Sequence, residues 1–552
     1  MIWAVTTLAH QLAFTFWTET WQGWLLVVAA VAVLFRPQCL LRFLVLVLCS
    51  LVNLWNKMPF VPNHILYEGM LHVVLLFGAA AALRERPVRE SLARSAPSWR
   101  RGLPLLALAG ALKAVYFFLD GRLPSFPYGV GTTLLLAWAL VRLLRRGDPV
   151  LGPAPAEGGG EARAAVAGER LYLSAAPVLR AAVVAMYFWA GLQKLNWDYL
   201  DPEVSCAARL HLEIASYFGG LVPSGAWALH GAIWASYLLE FGIPLLLLFG
   251  RTRFLGLCIA LLFHLWLSIH PAAGIFSFSS LILALLPLFF PESWYRSLHA
   301  LWRRQTAWLG GGDPALGSKR ARWLVVSAFF GVLVVQGALY LTQGRTYEVF
   351  GVANRVAFVA FMLWGLWLGC CFVFAAWRAA GREGGSAALE GWRAPVLVWV
   401  ALVPVLLNGA VPWLGGRTQS SFSMYSNLRS EGAGNHLFLR RVDLFPLQTD
   451  FVELVASTPD LLGPGDRPRG IAQFANPGHR FLPWFEFRRL ASEMPGDFSA
   501  IYRRGEETLE LGRRGGETYG DATAFEAPPY LQRKLLWFRR HESLEDPMCC
   551  TH

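Results

Sequence analysis

Apolar residues in this chain fall in blocks close to the length that crosses a bilayer, roughly 17–25 residues. The blocks lie near residues 21–35, 43–56, 65–83, 104–119, 127–143, 173–194, 226–249, 254–269, 274–290, 322–342, 355–377 and 395–414. Each predicts a membrane helix, and several are short enough to require tilt or re-entry. The expected fold class is an all-α polytopic membrane protein of roughly 9–12 transmembrane helices. The segment before Trp21 is apolar and has no Lys or Arg before Arg36. It lacks the basic region of a secretory signal and is expected to stay, lying on the membrane or partly inserted. Beyond Gly415 the pattern changes to a polar, Arg-rich tail. There "WFEFRRLASEM" fits a short helix, and "AIYRRGEETLELGR" fits a hairpin turning at Arg504-Gly505. A small α+β unit is expected over 415–552.

Charge alternates from loop to loop. Arg36 and Arg42, the run from Arg84 to Arg101, Arg142 to Arg146, Arg251 and Arg253, Arg303 to Arg322, and Arg378 to Arg393 occupy every second connection. By the positive-inside rule these face the cytoplasm. The loops at 57–64, 120–126, 195–225, 270–273 and 343–354, and the tail, then face outward. "GPAPAEGGGEARAAVAG" and "GGGDPALGS" read as flexible linkers. The chain divides into a membrane domain (1–295), a cytoplasmic linker with additional transmembrane helices (296–414), and an extracytoplasmic C-terminal region (415–552).

Composition agrees with the membrane class: 55% of residues are hydrophobic and 16% charged, against roughly 25% charged in soluble domains. The net charge of +12 sits in short loops, so it reads as a topology signal. The bilayer is the expected partner and nucleic acid is not. Cysteine spacing matches neither a zinc site nor a disulfide framework, and no metal is expected. A bond from Cys206 to the tail, or between Cys549 and Cys550, is left open.

If the topology holds, the outer ends of several spans gather Asn63, His64 and Glu68; Lys194, Asn196, Trp197 and Asp198; and His264 and His270. Lys194 stands out because the only other lysines are Lys57, Lys113, Lys319 and Lys534. One reading is a snorkelling anchor. The other is a base: burial disfavours the ammonium, and a free amine takes a proton. Arginine cannot serve in that way. His64, Glu68 and His72 recur at helical spacing, which fits a hydrogen-bonded polar stripe inside a bundle better than a metal site. Glu240 lies deep in a span with Pro244 one turn on; such carboxylates mark proton paths, ion pairs or cation partners. His264 lies about one and a half turns inside its span, where a polar side chain usually faces protein.

Three segments resemble the vitamin K-dependent γ-carboxylases and their bacterial relatives, the horizontally transferred transmembrane (HTTM) domain family. "YFWAGLQKLNWDYLD", Tyr187–Asp201, looks like the family's lysine segment, with Lys194 at the place of its base. "FHLWLSIHPAAGIFSFSSLILALLPLFFPESW", Phe263–Trp294, resembles its Phe-His segment and the Gly-x-Phe-Ser turn, here Gly274 to Ser277. "NHILYEG", Asn63–Gly69, resembles a short Asn-His motif. The resemblance runs over 60–85 and 170–295. It implies a membrane enzyme that oxygenates a reduced naphthoquinone (a vitamin K or menaquinone-type quinol) and uses the base so formed to abstract a proton. O2 and CO2 are the implied co-substrates, and a protein or peptide glutamate is the implied acceptor. Lys194 would deprotonate the quinol, with His264 and His64 as auxiliary groups. Asn63, Tyr187, Gly274, Phe276 and Ser277 would line the substrate, and Glu240 and Glu68 would supply intramembrane charge. The implied location is a bacterial inner membrane. A second histidine segment usual in the family has no counterpart here, and three spans follow Trp294 where the animal enzyme has a lumenal region. The competing readings are a non-enzymatic transporter or lipid-binding protein, with Glu240 and His64 lining a path, and a different membrane transferase using His264.

Overall fold

The computed structural model describes residues 2–13, 21–35, 37, 39–85, 88, 159–270, 273–343, 347–379, 391–432, 434–461, 480–548 and 550. The expected spans at 104–119 and 127–143 lie outside the described residues. Two compact units are present, each drawn from separated stretches. One comprises 1–56, 68–181 and 264–402, and the other 57–67, 182–263 and 403–552.

Among the described residues, six helices are long and apolar enough to cross a membrane: Leu40–Lys57, Asn63–Ala82, Gly168–Gln193, Ala226–Leu248, Pro314–Gln343 and Val396–Leu414. The segments Ile275–Phe289 and Glu292–Leu309 form a further pair bent by 119°. The protein is a mostly helical, multi-pass membrane protein, as its apolar blocks require.

The first unit is a helical bundle. Its N-terminal helix α1 (Ile2–Ala13) packs against α2 (Trp21–Phe35), and Ala4 and Leu8 are buried. Where a surface-lying or partly inserted segment was expected, α1 is part of the bundle: Thr6, Thr7, His10 and Gln11, which share one face of the helix, are buried against protein. Helices α3 (Leu40–Lys57) and α4 (Asn63–Ala82) follow. Helix α5 runs from Gly159 to Gln193. Residues 159–168, expected to be part of a linker, are therefore helical, in keeping with the Ala, Glu and Arg content there. A Cβ on Gly78 of α4 would meet the Ala175 side chain of α5 at 2.8 Å, so small residues set this close crossing.

"GGGDPALGS" is likewise no flexible linker. Gly310 to Asp313 form a tight turn between two helices, Glu292–Leu309 and Pro314–Gln343. Pro314 begins the second helix, and Asp313 Oδ1 accepts the Ala315 N–H at 2.8 Å, the usual signals of a helix start. The expected span at 395–414 is interrupted, with helical pieces at Val396–Val400 and Val403–Ala410 and a 3-10 turn at Val411–Leu414. Pro404, which has no N–H to donate, follows the break.

The second unit contains α6 (Trp197–Leu200), α7 (Cys206–Phe218), α8 (Ala226–Leu248) and most of α9 (Arg253–Ser268), then a loop and a small sheet. The sheet is antiparallel, in the order β2-β1-β3-β4-β5, from β1 (Phe451–Thr458), β2 (Phe481–Pro483), β3 (Phe498–Arg504), β4 (Glu507–Arg514) and β5 (Glu517–Gly520). Phe498, Ala500 and Tyr502 alternate inward along β3 and bury with Val452, Leu454 and Leu511. Phe487 and Leu490 join this core from the helix Trp484–Glu493. The expected helix and hairpin are both present. Arg504 pairs with Glu507, so the turn is Gly505-Glu506, one residue later than expected. Gly505 takes φ +60° there, which glycine adopts without a Cβ penalty.

Candidate active site

Lys194 follows the last residue of α5 and is 5% exposed, its side chain enclosed by protein. Its Nζ lies 2.9 Å from Glu240 Oε1 on α8. It also donates to the carbonyls of Ala190 at 3.4 Å and Met424 at 3.3 Å. The Tyr199 ring lies beneath the ammonium, 5.9 Å from centroid to nitrogen, within cation–π range. Tyr237, one turn before Glu240, donates its hydroxyl to the Lys194 carbonyl. Tyr199 and Ser236 share a 2.7 Å hydrogen bond. Glu240 Oε2 has no hydrogen-bond partner among the described residues. A buried carboxylate oxygen left this way costs about 1–3 kcal/mol, so the pair keeps one unused acceptor beside a cation.

Local sequence explains how α5 and α8 come so close. A Cβ on Gly191 would touch the Phe241 ring at 3.0 Å. The next residue but one, Gln193, sends its amide to the carbonyls of Gly409 at 2.9 Å and Ser421 at 2.8 Å. Asn196 caps α6 by accepting from Tyr199 N, and its amide reaches Ser426 O at 2.7 Å. Every polar residue of "QKLN" is thereby fixed.

The partner of this segment is a loop that sequence reasoning left without a role. Residues 418–428, "TQSSFSMYSNL", have no regular structure, yet most of them are buried. Ser420, Phe422, Tyr425 and Asn427 all have φ between +47° and +64°. Left-handed backbone at a non-glycine residue costs on the order of 1–3 kcal/mol and gathers at functional sites. Surrounding polar groups hold it: Asn63 Oδ1 accepts Phe422 N at 2.9 Å, and Asn408 donates to Ser420 O at 3.1 Å. Arg539 donates to Leu428 O and Ser423 O, both at 2.7 Å. Asn427 accepts Cys206 N and donates to Val204 O and Met548 O. The strain is thus maintained by many bonds, and its product is the Met424 carbonyl aimed at Lys194. The detectable signal was the density of Ser and Asn, residues whose side chains bond nearby backbone.

The tail closes around the same segment. Cys206 and Cys550 are disulfide-bonded, with Cα atoms 4.7 Å apart. Asp198 Oδ2 accepts from both Asn435 Nδ2 at 2.6 Å and Met548 N at 2.8 Å. Glu431 is fully buried and lies 3.3 Å from His541. Burial alone would raise its carboxyl, but His541 and Arg539 outweigh that and hold it at about 2.

The expected site residues fall in both units. Lys194, Tyr187, Asn63, His64 and Glu240 belong to the second; Glu68, His264, Gly274, Phe276 and Ser277 belong to the first. Asn63 spends its side-chain oxygen on the strained loop. Tyr187 and His64 are buried. His264 is fully buried, with Nδ1 3.5 Å from Ser279 Oγ and its ring edge-to-face with Phe278. Gly274, Phe276 and Ser277 lie on the helix Ala273–Leu285, and the carbonyl of Ser277 meets His10 at 3.0 Å. Glu68 has a different set of partners from the expected stripe: His10 from α1, Trp3, and His72 at a longer distance. His10 was missed, although an ionisable side chain in so apolar a helix is itself a signal.

A polytopic membrane protein whose buried Lys–Glu pair is clasped by a strained polar loop is the class defined by fold and site. Residues 167–294 match the model of the HTTM domain, and the chain carries that domain over this stretch. The match includes Lys194, Glu240 and His264, while the Asn63–Gly69 segment lies outside it. No curated protein and no solved structure matches the chain.

Proposed function

We propose that the protein is a vitamin K-dependent carboxylase-related membrane enzyme, acting on a reduced naphthoquinone with Lys194 as the base. The observation that carries this reading is the buried Lys194–Glu240 pair inside the HTTM match. Such a pair can pass one proton from amine to carboxylate without changing its net charge. The form with a neutral amine takes the phenolic proton of a bound quinol, leaving a quinolate and a lysine ammonium. Glu240 still carries the proton it received, so the quinolate supplies the counter-charge to that ammonium, and the Met424 and Ala190 carbonyls keep the nitrogen in place. O2 would add to the quinolate to give the epoxide, and the strong base so generated would abstract a proton from an acceptor. Carbon dioxide addition to a glutamate is the further step implied by the resemblance.

The Cys206–Cys550 bond supports an outward-facing 195–225 loop and tail, because disulfides persist in oxidising compartments. It agrees with the arginine pattern of the loops, and the likeness to bacterial family members favours a bacterial inner membrane. The tail then lies on the side where a secreted peptide acceptor is met.

The test is incubation of the purified protein with reduced menaquinone or vitamin K, O2 and labelled CO2, following epoxide and incorporated label separately. Epoxide formation should fall at least about 100-fold in Lys194→Ala, the scale of losing general base catalysis, and Lys194→Arg should not restore it. Full activity in Lys194→Arg would end the base assignment. Epoxide without incorporated label would retain the quinol chemistry and remove the carboxylation.

A further inference from the structure

The first unit contains a second buried ionisable group that the Lys194 chemistry does not use. Glu68 of α4 is 4% exposed, His10 of α1 is 3% and His72 is 0%. His10 Nδ1 lies 3.0 Å from Glu68 Oε2, and its Nε2 lies 3.0 Å from the Ser277 carbonyl, to which it donates. On the other side of the carboxylate, Glu68 Oε1 accepts Trp3 Nε1 at 3.2 Å and lies 3.8 Å from His72 Nε2. Neither ring nitrogen of His72 has a hydrogen-bond partner among the described residues. The Trp3 indole packs on the His72 ring, with centroids 5.3 Å apart.

Only one charge state of each group fits a static polar contact. A buried carboxylate needs a cation or donors, and His10 with Trp3 already supplies them. His72 is then superfluous for stability, and its two unpaired ring nitrogens cost about 1–3 kcal/mol each. An apolar residue of similar size would fill the site at less cost. The charged and titratable groups acting on Glu68 are His10 and His72, and those acting on His72 are Glu68 and His10. No group of three or more His, Cys, Asp or Glu among the described residues is arranged to hold a metal ion, and both His10 nitrogens are already engaged. The exchangeable species that suits two imidazoles on opposite oxygens of one carboxylate is the proton.

We propose that His10, Glu68 and His72 form a proton-transfer site within the helical bundle, separate from the Lys194 pair. His10 Nδ1–H gives its proton to Glu68 Oε2. After the carboxylic acid rotates, the proton passes to His72 Nε2 as the Nε2–H bond forms. The net charge of the triad is unchanged by the transfer, so no uncompensated charge is created in the bundle. Nothing in this step depends on quinol chemistry.

Infrared spectra of the full-length protein in liposomes, taken from mildly alkaline to mildly acidic pH, test the proposal. A protonated-carboxyl band that shifts in D2O should appear in the wild type. It should vanish in Glu68→Gln and persist with an altered midpoint in Glu68→Asp, which keeps the acid. With 15N-labelled histidine, His10→Gln should move the titration of the His72 ring by about one pH unit or more, since the two share one proton. The proposal is overturned if the wild type shows no titrating carboxyl band, if Glu68→Gln retains the band, or if the His72 signal titrates identically with and without His10. The wild-type spectrum requires no folded variant, and Lys194→Ala, which acts on the Glu240 carboxyl, should leave the Glu68-dependent band in place.

Discussion

Glu431 shows how a single side chain binds the tail to the strained loop. With its carboxyl held at about 2 against an ordinary 4.5, it stabilises the folded unit in full above about 4.5, and that contribution is lost as pH falls towards 2. Glu431→Gln should therefore cost about 3–5 kcal/mol at neutral pH, as expected when one member of a buried pair is removed. It should also flatten the acid limb of stability between those two pH values; an unchanged acid limb in a thermal-melt series would contradict the assignment. At this scale Lys194 is legible from sequence, because a lysine in an arginine-rich chain at the end of an apolar run invites a chemical explanation. Its partner choice is not. Glu240 lies 46 positions further on, and pairing across two helices depends on Gly191 and Tyr237, which no spacing rule connects.

Among elements, the turn between the helices at Glu292–Leu309 and Pro314–Gln343 is the sharpest test of packing. A Cβ at Gly317 would lie 1.5 Å from the Thr306 carbonyl oxygen, so even alanine cannot be accommodated without parting the helices. Gly317→Ala should lower stability by about 3 kcal/mol or more, within the upper range for single substitutions, whereas a change at Gly311, with open space around it, should act only through its φ of +64°. Thermal melting of both variants separates the two effects. Apolar blocks located most helices within a few residues, since burial in lipid demands continuous hydrophobicity. The "GGGDPALGS" segment misled because composition alone cannot distinguish glycine used for flexibility from glycine used for close approach. The 418–428 loop is opaque for a related reason: its conformation is imposed by partners distant in the chain, and its own residues disfavour it.

Taken as a molecule, the second unit is assembled from 57–67, 182–263 and 403–552. Its covalent tie, Cys206 to Cys550, spans 344 residues, and closing so long a loop is worth about 6 kcal/mol in the chain-entropy model. Cys206→Ser with Cys550→Ser should lower the melting temperature of this unit without changing the helical content, and reducing agent should have the same effect on the wild type but none on the double variant. The topology also carries a message about timing during synthesis. The ribosome delivers the lysine helix first, its glutamate partner next, and the 418–428 loop and the Arg539 that holds it only near the end. A nascent chain halted after the last apolar block would be membrane-inserted and hold both members of the pair, yet lack the clasp. On the proposed function, base chemistry at Lys194 would begin only once residues 418–428 and Arg539 had been added to the chain.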